Sequence, residues 1–303
     1  MKKILCSVLC LVMTVSLFGC KNAVFNKEVN ARDMMEQLVR TDKELGIKGK
    51  YEKIKDIKDA SVDGDVVGKW ILASGEATYN FTEKGKLKAK MKDYGSQESK
   101  FTCFEADGVK VLCIETTDEE EDEDGKKTEE IGLDFMTYTI ENGVLYMMSV
   151  EDTTDKERTS AYSQLIRIFR ADDKETGKKS VAKNKLTVDS FDGKWTSDDG
   201  KFTIEDGKLT LDKKEYDLSF NDKNELVVSD GKKENSYSVS ITLRKEFDEK
   251  DHSKVEEKYQ MGIYYTGKNA KDKPNLKSVL TDWHSEYQSE DFYYSGTFET
   301  DKK

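Results

Sequence analysis

Catalytic chemistry rests on a few side-chain types, and this chain carries little of it in recognisable form. It has two histidines, His252 and His284, and neither has a cysteine or second histidine at metal-ligand spacing. His252 lies in a charged stretch and His284 beside Trp283 on an expected helix, so surface and packing roles are expected for them. No Gly-x-Ser-x-Gly, His-Glu-x-x-His or phosphate-binding glycine loop occurs. The spacing Ser-x-x-Lys appears at Ser180–Lys183 and at Ser229–Lys232, but the companion Lys-Thr-Gly is missing, and a chain with 50 basic residues produces such matches by chance. The acidic run from Asp118 to Asp124, closed by Gly125, nearly fits a calcium loop. Its twelfth position, which should be a bidentate Glu, is Ile131, so a solvated loop is expected. Spacing cannot single out a carboxylate pair for glycoside hydrolysis among 61 acidic residues. The sequence therefore points to no enzyme, no metal and no cofactor.

Two cysteines, Cys103 and Cys113, remain beyond the first twenty residues. They flank Ala106-Asp107-Gly108, which reads as a hairpin turn. If they face each other across two strands, a disulfide closing so short a loop contributes about 2–3 kcal/mol. A register slip of one residue instead leaves two separate thiols on opposite faces. Both outcomes stay open on the sequence alone.

The N-terminus carries a stronger signal. Lys2 and Lys3 precede an apolar run from Ile4 to Phe18, the length of a secretory signal. The run ends in Leu17-Phe18-Gly19-Cys20 and turns polar at Lys21. This resembles the lipobox of bacterial lipoproteins, with a Leu three positions before the Cys and a small residue directly before it. The resemblance implies cleavage after residue 19, a diacylglycerol thioether on Cys20, and a protein held on the extracytoplasmic side of the cell membrane. Two acyl chains suffice for stable anchoring where one is marginal.

The formal charge is −11, and loss of Lys2 and Lys3 with the leader makes it −13. An anionic body without a concentrated basic patch excludes nucleic acid as a partner. The basic residues are almost all Lys. Arg occurs at only six positions, 32, 40, 158, 167, 170 and 244, and a Lys-rich surface favours solvation over bidentate anion recognition.

The elements follow from pattern. A tether and N-terminal helix are expected over residues 20–61, with Asn30 as cap, Asp33 in capping-box position, Gly46 as left-handed stop, and an apolar stripe of Met34, Met35, Leu38 and Leu45. Thereafter short alternating runs broken by Gly, Asp and Asn predict antiparallel sheet, with hairpin turns at Glu83-Lys84-Gly85, Asp107-Gly108 and Asn142-Gly143. Eight strands are expected over residues 62–171, the last of them Gln164–Phe169. A linker is expected over 172–187, and a second set of strands over 188–303. Within that set, a helix with Leu276, Val279, Leu280, Trp283 and Tyr287 on one face is expected before the last strand. The halves share an order of landmarks: Gly68-Lys69-Trp70, Gly75, Tyr79-x-Phe81 and Gly85-Lys86-Leu87 against Gly193-Lys194-Trp195, Gly200, Phe202-x-Ile204 and Gly207-Lys208-Leu209. That order argues for a duplication.

Gly-x-Trp opening about eight antiparallel strands resembles the lipocalin-like proteins. The resemblance implies two up-and-down β-barrels in an all-β fold. It further implies that Trp70 and Trp195 plug the closed ends and that Arg167 and Arg170 lie over Trp70. Arg244 falls two strands too early to serve Trp195, which is therefore expected to lack such a lid. Eight strands enclose an interior either filled by side chains or able to hold one small ligand. The expected role is a surface-anchored, non-enzymatic binding protein for a small apolar molecule in a barrel or a protein partner on its surface. The alternative is a structural or inhibitory envelope protein with filled barrels, and a carbohydrate-active enzyme ranks third.

Overall fold

The structure is a computed structural model. It describes residues 28–47, 49–72, 77–91, 95–121, 127–152, 160–171, 186–197, 200–221, 225–232, 234–248, 250–251, 254–267 and 292–301. The leader with its lipobox, Gly75, the Ser180–Lys183 match, residues 172–185 of the expected linker, both histidines and the expected C-terminal helix lie outside the described residues.

The fold is all-β and antiparallel, as the alternation predicts, with two short α-helices among the described residues. The expected N-terminal helix breaks in two. Helix α1 spans Ala31–Leu38, with the Asn30 side chain accepting from the amides of Arg32 and Asp33. Val39 then turns extended, and α2, Asp42–Leu45, restarts behind Thr41. The reciprocal capping box belongs to Thr41 and Glu44 rather than to Asn30 and Asp33, while Gly46 ends α2 in the left-handed conformation as expected.

Eight strands close the first barrel: β1 (Gly68–Leu72), β2 (Ala77–Phe81), β3 (Lys86–Met91), β4 (Gly95–Ala106), β5 (Val109–Glu121), β6 (Lys127–Glu141), β7 (Val144–Ser149) and β9 (Ile166–Arg170), which returns to pair with β1. Two-residue turns at Asp107-Gly108 and Asn142-Gly143 hold positive φ at both residues, the twist that matches a right-handed hairpin. The expected eighth strand is β9, and a strand the sequence pattern did not anticipate, β8 (Ser160–Gln164), precedes it, leaves the barrel and pairs with the second sheet.

That sheet contains β10 (Gly193–Ser197), β11 (Gly200–Glu205), β12 (Lys208–Leu211), β13 (Lys214–Phe220), β14 (Leu226–Ser229), β15 (Glu234–Phe247), β16 (Val255–Gly267) and β17 (Phe292–Asp301) in up-and-down order. It curls far enough for β14 to pair with the first part of β15 and for β17 to touch β10 at Thr196 and Glu299. Strand β8 occupies the remaining edge of β15, from Thr242 to Glu246. Closure here is looser than in the first barrel.

The strand β7 is buried on both faces, which explains how the parts are joined. Leu145 and Met147 point into the first barrel, while Val144, Tyr146 and Met148 point outward. The outward set joins Phe169, the α1 residues Met34, Met35 and Leu38, and the interior of the second sheet around Trp195 and Met261 in one continuous core. Among the described residues, no helix is long and apolar enough to cross a membrane.

Candidate functional site

The most ordered polar geometry gathers around the two tryptophans. Each indole is fully buried, and each Nε1 donates to the carbonyl four residues earlier, Trp70 to Val66 at 2.8 Å and Trp195 to Phe191 at 2.7 Å. A tight turn precedes each strand and delivers that carbonyl, through the amides of Val66 and Val67 on Asp63 in the first and a 3-10 turn over Val188–Phe191 in the second. The glycine two residues before each Trp takes positive φ, 134° at Gly68 and 149° at Gly193, and a Cβ at Gly193 would lie 2.8 Å from the Thr300 hydroxyl. The repeat extends to strand register. Gly68 pairs with Phe81 and Phe81 with Leu87, while Gly193 pairs with Ile204 and Ile204 with Leu209.

The first tryptophan has the expected arginine. Arg170, on the position of β9 that pairs with Trp70, sits 4.2 Å from the indole centroid. It donates to the carbonyls of Val67 and Asp65, so it stacks on the plug and ties down the turn that carries it. Arg167 does not share this role. Alternation along β9 turns it outward, where it lies 5.9 Å from the Phe169 ring and opposite Tyr146 on β7. Burial there lowers its pKa to about 10 and raises that of Tyr146 to about 12.

The second tryptophan also has an arginine, which the strand pattern alone does not reveal. Arg32 of α1 lies 6.0 Å from the Trp195 centroid and 5.2 Å from that of Tyr259, and its Nη2 donates to the Asp192 carbonyl. Burial lowers its pKa against the opposing pull of Tyr259, Asp192 and Glu36. The available signal was scarcity. In a chain that uses Lys for solvation, four of the five described arginines, Arg32, Arg167, Arg170 and Arg244, lie over aromatic rings. Arg244 lies against Tyr162 and pairs with Glu246 and Glu299.

Among the described residues, large side chains pack the first barrel's interior. Trp70, Phe81, Phe101, Leu112, Leu145 and Ile168 meet there in one buried cluster, with the Phe81 and Phe101 rings edge to face at 5.0 Å. At its edge Tyr138 donates to Asp63 at 2.8 Å, and Lys110 pairs with the same carboxylate at 2.8 Å. Cys103 belongs to this interior. Register pairs it with Leu112 and pairs Cys113 with Thr102, so the two sulfurs point to opposite faces, and of the two outcomes the sequence left open the chain takes the two separate, buried free thiols. Burial raises both, Cys113 to about 12, which makes each a packing group rather than a nucleophile.

A second buried polar cluster lies between the sheets. Glu151, past the end of β7, pairs with Lys245 of β15 at 2.8 Å and accepts from the Ser163 hydroxyl of β8 at 2.8 Å. The Ser163 side chain is fully buried, so it is a clasp and not an accessible nucleophile. The Ser229 hydroxyl of the other Ser-x-x-Lys match accepts from the Gly231 amide within an ordinary turn. The backbone of Asp118–Glu121 continues β5 and pairs with Lys127–Glu130, so this part of the acidic run is strand rather than loop. Among the described residues, no group of three or more His, Cys, Asp or Glu is placed to hold a metal ion. A depression of about 370 Å³ lies on the outer face of β10–β12. Lys194, Thr196, Lys201, Thr203, Thr210 and Glu299 line it together with Trp195 and Phe202, so its lining is mixed polar and apolar and it lies outside the barrel. No family model, curated protein or solved structure matches the chain.

Proposed function

We propose that this protein is a non-enzymatic envelope lipoprotein, anchored through Cys20, whose solid barrels act on a protein partner through their outer surfaces. The observation that carries the reading is the packed interior of the first barrel, where large side chains fill the space a lipocalin-like ligand would need. The second sheet supports it, because α1 and the outer face of the first barrel fill its apolar side. Anchoring rests on the lipobox resemblance of Leu17-Phe18-Gly19-Cys20. The reading sets aside the apolar-ligand role that the fold resemblance implied.

Two measurements test it. An environment-sensitive apolar dye titrated into the folded protein should show no saturable uptake; stoichiometric uptake with micromolar affinity would restore the ligand-carrier reading. Cys20→Ala should abolish incorporation of labelled fatty acid and release the protein from the membrane fraction. Unchanged labelling and unchanged fractionation would remove the anchor.

A further inference from the structure

We infer that α1 is a strap closing the end of the second barrel, with Arg32 as the positioning residue that does for Trp195 what Arg170 does for Trp70. The equivalence is atomic. Each guanidinium lies over its indole, and each donates to the carbonyl directly before the glycine of Gly-Lys-Trp, Arg170 to Val67 and Arg32 to Asp192. In the first barrel this arginine comes from the closing strand β9. In the second, the chain has no arginine after Arg244, and Arg244 is engaged with Glu246 and Glu299. The second barrel therefore borrows its arginine from a segment some 160 residues earlier in the chain.

The strap is fastened at both ends. Its first amide, of Ala31, donates to the Ser190 hydroxyl in the turn before β10, and Val29 bridges to Leu186. Its last turn is held from the other side, where the Thr137 hydroxyl of β6 donates to the Leu38 carbonyl. Tyr259 of β16 adds a bond from its hydroxyl to Glu36. The stripe Met34, Met35 and Leu38 fills the space between these fastenings. Position 20 lies nine residues before Val29, a span of at most about 32 Å. If Cys20 carries the anchor, as proposed above, the described residues nearest the tether, Val29 to Arg32, are the ones that engage the Trp195 end of the second barrel. The strap itself does not depend on the anchor.

Hydrogen exchange read by mass spectrometry on the full chain separates the two closures. Arg32→Met should speed exchange of amides over residues 193–205 at least tenfold and leave residues 68–81 at the wild-type rate. Arg170→Met should do the reverse. Arg32→Lys, which keeps the charge but lacks the planar fork, should behave like Arg32→Met. Ser190→Ala loosens the strap without touching Arg32 and should also speed 193–205, so the inference stays testable if the Arg32 variants fold poorly. Unchanged exchange over 193–205 in both Arg32→Met and Ser190→Ala, or equal acceleration of 68–81 by Arg32→Met, would overturn it. Anchoring is read separately by Cys20 labelling, so its failure leaves these results standing.

Discussion

Trp70 and Arg170 occupy paired positions on neighbouring strands, so removing either leaves a hole the other cannot fill. Arg170→Met should cost about 1–3 kcal/mol, from a desolvated cation–π contact and two hydrogen bonds to backbone carbonyls, measured by urea unfolding. Trp70→Ala should cost about 3–5 kcal/mol. Asp63 supplies a pH-dependent contribution. Burial alone would raise its carboxyl, but Lys110, the Asp65 amide and Tyr138 outweigh that and hold it below the ordinary value of 3.8. A carboxyl depressed by folding stabilises the native state above its unfolded pKa, and the contribution disappears as pH falls through the lower folded value. Melting temperature should therefore drop more steeply below about pH 4 in the wild type than in Asp63→Asn. At this scale the sequence was legible where alternation was applied. Residues 168 and 170 share the barrel face while 167 points away, so the period of two already separates Arg167 from Arg170. The two-residue turn at Asp107-Gly108 likewise pairs Cys103 with Leu112, one position short of Cys113. Both thiols should resist a thiol reagent in the folded protein and react fully in denaturant, with equal masses before and after reduction.

Strands and hairpins were largely readable because their turns carry Asn, Asp and Gly where positive φ is needed. Elements whose partners lie far along the chain were not. Nothing local marks β8 for the second sheet, because Ser160–Gln164 alternates as well for either barrel. The Glu151–Lys245 pair, buried at 2.8 Å, fixes that crossing and argues for a firm junction. Lys245→Met should strand a buried carboxylate and cost about 3–5 kcal/mol. The double variant Glu151→Met with Lys245→Met should cost less than Lys245→Met alone, which a double-mutant cycle by chemical unfolding would show. Additive losses would mean the pair does not hold the junction. The break in the N-terminal helix had a readable cause, since Thr41-x-x-Glu44 is itself a start signal within the expected helix.

At the scale of the molecule, four pairs of the landmarks that suggested duplication, Gly68 and Gly193, Trp70 and Trp195, Phe81 and Ile204, Leu87 and Leu209, occupy matching register in the two sheets. The halves nonetheless share a core, which runs from the outer face of β7 through α1 into the second sheet. That joining is a long-range packing event, which composition and periodicity do not encode. On the proposed reading, the packed interiors leave the outer faces as the place where a partner is met. Native mass spectrometry of the mature protein released from membranes tests this account most directly. The predicted spectrum is a single species whose mass is the chain from Cys20 plus its acyl groups, unchanged as collision energy rises. A further component of a few hundred daltons that dissociates on activation would contradict it.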